Sequence, residues 1–278
     1  MAPRRRLDAE LVRRGLAPSR AAAQALIEQG GVVVRGAPAG KATTMVDPAD
    51  ALEVVAGGPA WASRGAHKLV GALDAFHLDV VGRRCLDAGA STGGFTDVLL
   101  QRGAAHVTAV DVGYGQLAWR LRSDQRVEVR DRTNVRHLAP GDIDPPRDLV
   151  VADLSLICLT GVLPALRAVA ADDADLLPMV KPQFEVGPDR VGSGGVVRDP
   201  IAWADALRGV VDVAAGLGLV LRGAVPSKLP GPAGNVEFFL HLSASLPHPK
   251  HVPALLIAAA VAAGEALRPP GEPGPRRG

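Results

Sequence analysis

Leu86-Asp87-Ala88-Gly89-Ala90-Ser91-Thr92-Gly93-Gly94-Phe95 runs from a short apolar strand into a glycine-rich turn, with helical residues from Thr96 onward. Glycines at such a turn let the backbone approach a ligand closely. The start of the following helix offers free N–H groups to a carboxylate. Asp111 closes the next apolar run, 22 residues beyond Gly89, where a carboxylate can hold two ribose hydroxyls. A P-loop would need Gly-Lys-Ser/Thr after the glycines, and none follows. A dinucleotide fingerprint wants Gly-x-Gly-x-x-Gly, and Ser91 stands at its middle glycine. A ligand with a ribose and a carboxylate but no phosphate suits the loop best.

Outward from this loop, short apolar runs alternate with helical stretches: 84–88, 107–110, 127–129, 149–152, 176–180, 219–225 and 237–242. That alternation predicts an α/β domain with a mostly parallel, doubly wound sheet. In such sheets ligands sit at the carboxyl ends of the strands. Asp131, after the third run, is then placed for the adenine side of a nucleoside.

The N-terminal residues read differently. Two short helices over 6–29, with Leu7 and Leu11 on one face, Gly15 ending the first and Ser19 capping the second, precede Val32-Val33-Val34, a turn at Arg35-Gly36 and a strand at 51–55. Through Lys41, eight basic residues face only Asp8, Glu10 and Glu28, a local patch of the kind phosphate binding uses. The helix pair and the phrase Gly30-Gly31-Val32-Val33-Val34-Arg35-Gly36 resemble the S4 RNA-binding domain. Aromatic residues make up only 3%, so a grip on the RNA backbone fits better than base stacking. Arg4, Arg6, Arg14 and Arg20, with Arg64 and His67 beyond Gly57-Gly58-Pro59, are the candidate RNA contacts. The expected organisation is an S4-like α+β domain over 1–58, a linker over 59–65, the α/β domain over 66–267 and a disordered tail over 268–278.

Lysine is rare here. Of 31 Lys+Arg, only Lys41, Lys68, Lys181, Lys228 and Lys250 are lysines. Arginine stays protonated in proteins, whereas a lysine amine can give up its proton, so Lys181 at the end of an apolar run suggests chemistry. The fourth run ends in Asp153-Leu154-Ser155 and not in the Asn/Asp-Pro-Pro-aromatic turn of enzymes that methylate exocyclic amines. Lys68 lies on a predicted helix before the first strand, and Glu237 opens the last one.

Asp87-Ala88-Gly89 resembles motif I of the Rossmann-like methyltransferases that use S-adenosylmethionine (SAM). The set Lys68, Asp153, Lys181 and Glu237 resembles the Lys-Asp-Lys-Glu tetrad of ribose 2′-O-methyltransferases, in chain order and in strand-end placement. Joined to an S4 unit, this domain looks like the TlyA family of actinobacterial type, from Arg6 to about Leu242. The most specific stretches are Ser63 to Leu69, Leu86 to Phe95, Asp111 to Leu117, Val180 to Gly187 and Gly234 to Glu237. The resemblance implies SAM bound by Asp87, Gly89, Ser91, Thr92, Gly93, Gly94, Phe95, Asp111 and Asp131. It implies 2′-O-methylation of cytidines in 16S and 23S ribosomal RNA, ribosomal subunits as partners, and a link to capreomycin susceptibility. Lys181 would act on the hydroxyl, Asp153 would orient it, and Lys68 and Glu237 would supply electrostatics. Three departures stand out: Pro59-Ala60-Trp61-Ala62 replaces an Arg-Ala-Trp-Val linker, Leu156 and Cys158 replace Phe and Ser as a packing change, and Asp131 replaces Glu.

Other classes fit less well. Pseudouridine synthases also carry S4 domains, but Arg6-Leu7-Asp8 lacks the Thr-Ser-Gly that completes their signature. An assembly factor with a silent domain would not need the tetrad. The "hemolysin" label of some family members implies a membrane role, yet the apolar stretch 252–264 is 13 residues long and contains Pro253, short of the ~20 a span needs. Cys85 and Cys158, the only cysteines, have no metal-ligand spacing, so no metal and a reducing cytoplasm are expected.

Overall fold

The structure is a computed structural model that describes residues 4–28, 31–39, 41–54, 61–244 and 253–267. The chain divides into two units, Met1–His67 and Lys68–Gly278. Gly30, Gly57 to Ala60, Val55 and the tail 268–278, on which several sequence expectations fall, lie outside the described residues.

In the first unit β1 (Arg5–Arg6), α1 (Leu7–Arg13), α2 (Arg20–Glu28), β2 (Val32–Val34), β3 (Ala37–Pro38), β4 (Met45–Val46) and β5 (Leu52–Val54) follow one another. Leu7 and Leu11, four residues apart on α1, are fully buried and cluster with Ala23, Ile27, Val32, Val34 and Val46. Ser19 caps α2, its Oγ accepting from the Ala22 N–H at 3.2 Å. β2 lies between β3 and β5. The two-residue ladder of β1 with β4 had no sequence signal, because a two-residue strand shows no period.

Asp8 and Glu10 on α1 are fully buried carboxylates, tolerable inside a protein only because they are paired. Asp8 accepts from Arg6 at 3.1 and 2.9 Å, from Arg20 at 3.0 Å and from Gln24 at 3.0 Å. Glu10 accepts from Arg13 at 2.8 and 2.5 Å and from Arg14 at 2.8 Å. The Arg6 guanidinium holds the Asp8 carboxyl well below the usual carboxylate range. Arg13, outweighing burial, lowers Glu10 to about 2.

The second unit holds α3 (Ala66–Phe76, beginning just before the division), β6 (Arg84–Ala88), α4 (Gly94–Gln101), β7 (His106–Val110), α5 (Trp119–Arg122), β8 (Val127–Arg130), β9 (Arg147–Ala152), α6 (Leu163–Ala168), β10 (Ala170–Val180), α7 (Pro182–Glu185), α8 (Pro200–Gly216), β11 (Val220–Pro226), β12 (Phe238–Ser243) and α9 (Pro253–Ala266). One seven-stranded sheet runs β11-β12-β10-β9-β6-β7-β8. β12 is antiparallel to both neighbours, while β10, β9, β6, β7 and β8 pair in parallel. Leu149, Val150, Val151 and Ala152 of β9 are all buried, as a central parallel strand covered on both faces requires. Trp203 of α8 packs on Phe238 with ring centroids 5.6 Å apart.

The order reverses direction between β6 and β9, whose carboxyl ends therefore flank a crevice, the usual ligand position in open α/β sheets. One strand is longer than the sequence suggests. β10 starts at Ala170, and its register against β9 shifts between Ala170 and Asp175. That irregular half carries exposed Asp172 and Asp173, whose charge reads as loop in the sequence.

Candidate active site

The crevice opens into a cavity of about 400 Å³ lined by Gly89, Ser91, Asp111, Gln116, Asn134 and Asp153, among others. Gly89 has φ +86°, and a Cβ there would sit 2.6 Å from the Asp153 carbonyl oxygen. Only glycine lets the two strand ends approach this closely. The Asp153 N–H in turn donates to the Ala88 carbonyl at 3.1 Å. Asp111 accepts from the Ser91 N–H at 2.8 Å and from the Gly113 N–H at 2.7 Å. A carboxylate has about four lone-pair sites, so two remain for hydroxyls in the cavity.

Of the residues expected around a cofactor, the structure brings Gly89, Ser91 and Asp111 to the cavity wall, and leaves the others off it. Asp87 is fully buried and accepts from Thr96 Oγ1 at 2.7 Å, pinning the strand end to α4. Burial pushes its carboxyl up to about 7, against the Thr96 hydrogen bonds. Phe95 packs on Phe239 with centroids 6.0 Å apart. Thr92, Gly93 and Gly94 complete the turn into α4, with Gly93 at its N-cap. Asp131 accepts from the Gly115 N–H at 3.2 Å and pairs with Arg122, both through Oδ2, so that oxygen braces the loop. Thr133 and Asn134 form that wall, with Leu154, Leu156 and Ile157. Leu156, expected as a packing exchange, is 88% exposed and lies between this cavity and a second, of about 570 Å³, over Cys158, Gln183 and Phe184.

The four tetrad residues converge. Lys68 of α3 donates to Glu237 Oε2 at 2.6 Å, and its Nζ is 3.9 Å from Asp153 Oδ2. Lys181 Nζ is 2.6 Å from Asp153 Oδ1. Glu237 is fully buried, and Lys181 nearly so. Charges thus alternate as Glu237, Lys68, Asp153, Lys181, each acid compensating an adjacent ammonium, which is how ionised side chains survive burial. A Cβ on Gly231 would lie 2.6 Å from Glu237 Oε1, so the missing side chain makes room for that carboxylate. Asp153, expected to orient the Lys181 amine, makes the charge contact without an aligned hydrogen bond. The aligned bond from Lys181 goes to Ser155 Oγ at 2.8 Å, a partner with no sequence signal.

The expected RNA contacts separate into two kinds. Arg14 is committed within the first unit, donating to Glu10 and to the carbonyls of Asp50 and Pro48 at 2.8 and 2.9 Å; bonding the loop before β5 to α1 leaves it little to offer a ligand. Arg6 and Arg20 are anchored on Asp8, yet their side chains stay 42% and 58% exposed, fixed in direction and open to an anion. Arg4 is exposed, and Arg64 and His67 are half-buried.

Sheet order, glycine turn, ribose-type carboxylate and buried tetrad define a Rossmann-like methyltransferase joined to a small arginine-rich unit. Family models agree: FtsJ-like methyltransferase matches residues 61–244 and the S4 domain matches residues 5–52. The 16S/23S rRNA (cytidine-2′-O)-methyltransferase TlyA of Mycobacterium tuberculosis is 61% identical over 87% of this chain and 91% of its own length. Hemolysin A of Brachyspira hyodysenteriae is 33% identical over 85% of this chain and 98% of its own. A solved structure of a hemolysin-named protein from Streptococcus thermophilus superposes with a TM-score of 0.71 at 34% identity, covering 96% of this chain and 98% of that one. The chain belongs to the TlyA family of FtsJ-like methyltransferases. Among the described residues no helix is long and apolar enough to cross a membrane.

Proposed function

We propose that the protein transfers a methyl group from SAM to the ribose 2′-hydroxyl of cytidine in 16S and 23S ribosomal RNA, presented by ribosomal subunits. The observation that carries this reading is the buried Glu237–Lys68–Asp153–Lys181 alternation next to a cavity built for a ribose. Such a set suits a hydroxyl acceptor, whose proton must leave as the oxygen becomes a nucleophile.

The residues present fit the cofactor. Asp111 has two lone-pair sites left for ribose hydroxyls, Thr133 and Asn134 supply polar groups for the nucleoside, and Gly89 keeps the floor free of a side chain. When bound, SAM supplies an electrophilic methyl group. The chain's own residues prepare the acceptor. Lys181 binds the 2′-oxygen and takes its proton or holds the developing negative charge. Asp153 lies between two ammonium groups and keeps both in place, while Glu237 anchors Lys68. Much of the rate comes from alignment, since holding reactants in line is worth on the order of 7–11 kcal/mol. Arg6 and Arg20, held by Asp8, grip the RNA backbone in a salt-dependent way, with Arg4, Arg64 and His67 as further contacts.

Ribose-methylation mapping of ribosomal RNA from cells with and without the gene tests this reading. The expected result is 2′-O-methylcytidine in both rRNAs, lost on deletion. Identical maps would overturn it and leave a silent ribosome-binding factor.

A further inference from the structure

Lys181 is the only one of the four tetrad residues whose aligned side-chain hydrogen bond leaves the tetrad. Its Nζ touches Asp153 Oδ1 at 2.6 Å as an ion pair, but the carboxylate oxygen has no aligned donor. The bond with hydrogen-bond geometry runs to Ser155 Oγ at 2.8 Å. Ion-pair attraction varies slowly with angle, whereas a hydrogen bond weakens steeply away from linearity. Asp153 therefore holds the position of the charge, and Ser155 fixes the direction of the N–H groups.

We propose that Ser155 is a positioning residue for methyl transfer, acting through Lys181; the idea rests on the 2′-hydroxyl reading above. An amine nitrogen has four tetrahedral directions. One is its own carbon, one N–H points at Ser155, and Asp153 crowds a second N–H. The direction that remains is the one offered to the acceptor oxygen, as a lone pair in the free amine or as a hydrogen in the ammonium. Without Ser155 the head group can rotate about its final bond while keeping the Asp153 contact, so the reactive direction is lost though the charge stays. Ser155 is the third residue after β9 and lines the cavity wall together with Leu154 and Leu156. The strand that carries Asp153 thus places both partners of Lys181, one for charge and one for angle.

The test compares Ser155→Ala, Ser155→Cys and Ser155→Thr with wild type, assaying methyl transfer to ribosomal RNA and measuring SAM affinity by calorimetry. Ala and Cys should lower kcat by about tenfold to thirtyfold, the scale of one oriented hydrogen bond in a transition state. KM for RNA and Kd for SAM should stay within about twofold, and Thr, which restores the hydroxyl, should recover most of kcat. Cys matches serine in size and is a weak acceptor, so it separates hydrogen bonding from space filling. Wild-type kcat in Ala and Cys would overturn the proposal, as would a raised Kd for SAM at unchanged kcat, which would make Ser155 a cofactor contact. Absence of transfer by wild type would instead overturn the 2′-hydroxyl reading itself.

Discussion

Replacing Lys181 with alanine is expected to lower kcat for methyl transfer by about 10²- to 10⁴-fold, the range a positioned acid–base group contributes. SAM affinity should stay within about threefold, because Lys181 is not among the residues lining the cofactor cavity. RNA affinity should also persist, since the arginines assigned to it lie on the first unit and near its end. The substitution leaves Asp153 with only the 3.9 Å contact to Lys68, so some loss of stability accompanies it. Lys181→Arg separates two roles. A guanidinium keeps the charge and cannot take the proton; a loss as deep as in alanine assigns the proton to the amine, and substantial recovery assigns it only electrostatic support. Steady-state kinetics with parallel calorimetry checks each value. Wild-type turnover in Lys181→Ala would remove Lys181 from the chemistry.

The second large effect is expected at Gly89→Ala. The new Cβ would sit 2.6 Å from the Asp153 carbonyl oxygen at φ +86°, combining overpacking with a left-handed non-glycine backbone. Together these cost about 2–5 kcal/mol, or roughly 5–15 °C in Tm for a domain of this size. Relief requires β6 and β9 to part, which breaks the Asp153 N–H bond to Ala88 and moves Asp153 away from both lysines. Cofactor binding and transfer should therefore fail together, unlike in Lys181→Ala, and calorimetry should show SAM affinity reduced by about thirtyfold or more, the lower end of that cost at 1.4 kcal/mol per factor of ten when binding must restore the strained strand ends. Near-normal affinity in a folded variant would mean the strand ends are not held as described.

The two substitutions also mark what could be read from the chain alone. The sheet was legible because its strands are short apolar runs alternating with helical stretches, and the tetrad because lysine is scarce and each member stands at or near an element end. Asp111 was legible for the same positional reason. Asp131 stands at an equally plausible strand end, yet one of its oxygens is engaged by Arg122 and the Gly115 N–H; position along a strand does not reveal which partner a side chain finds. Asp87 and Phe95 belong to the signature loop but serve its packing, so a motif marks a turn without saying which side chains face the ligand. Thr133, Asn134 and Ser155 were invisible, being common polar residues whose importance comes only from where the fold brings them. Arg14 shows the reverse case, a basic residue in a basic segment whose guanidinium is occupied by Glu10 and the carbonyls of Asp47, Pro48 and Asp50.

The central claim is that this site activates a ribose hydroxyl. Its most direct test assays purified protein with methyl-labelled SAM on ribosomal RNA carrying a single 2′-deoxycytidine at a mapped position. The account predicts that label enters 2′-O-methylcytidine in the unmodified RNA and that transfer at that position disappears when the one oxygen is removed, with RNA binding retained. Label that persists at the deoxycytidine, or that is recovered on a base, would contradict it.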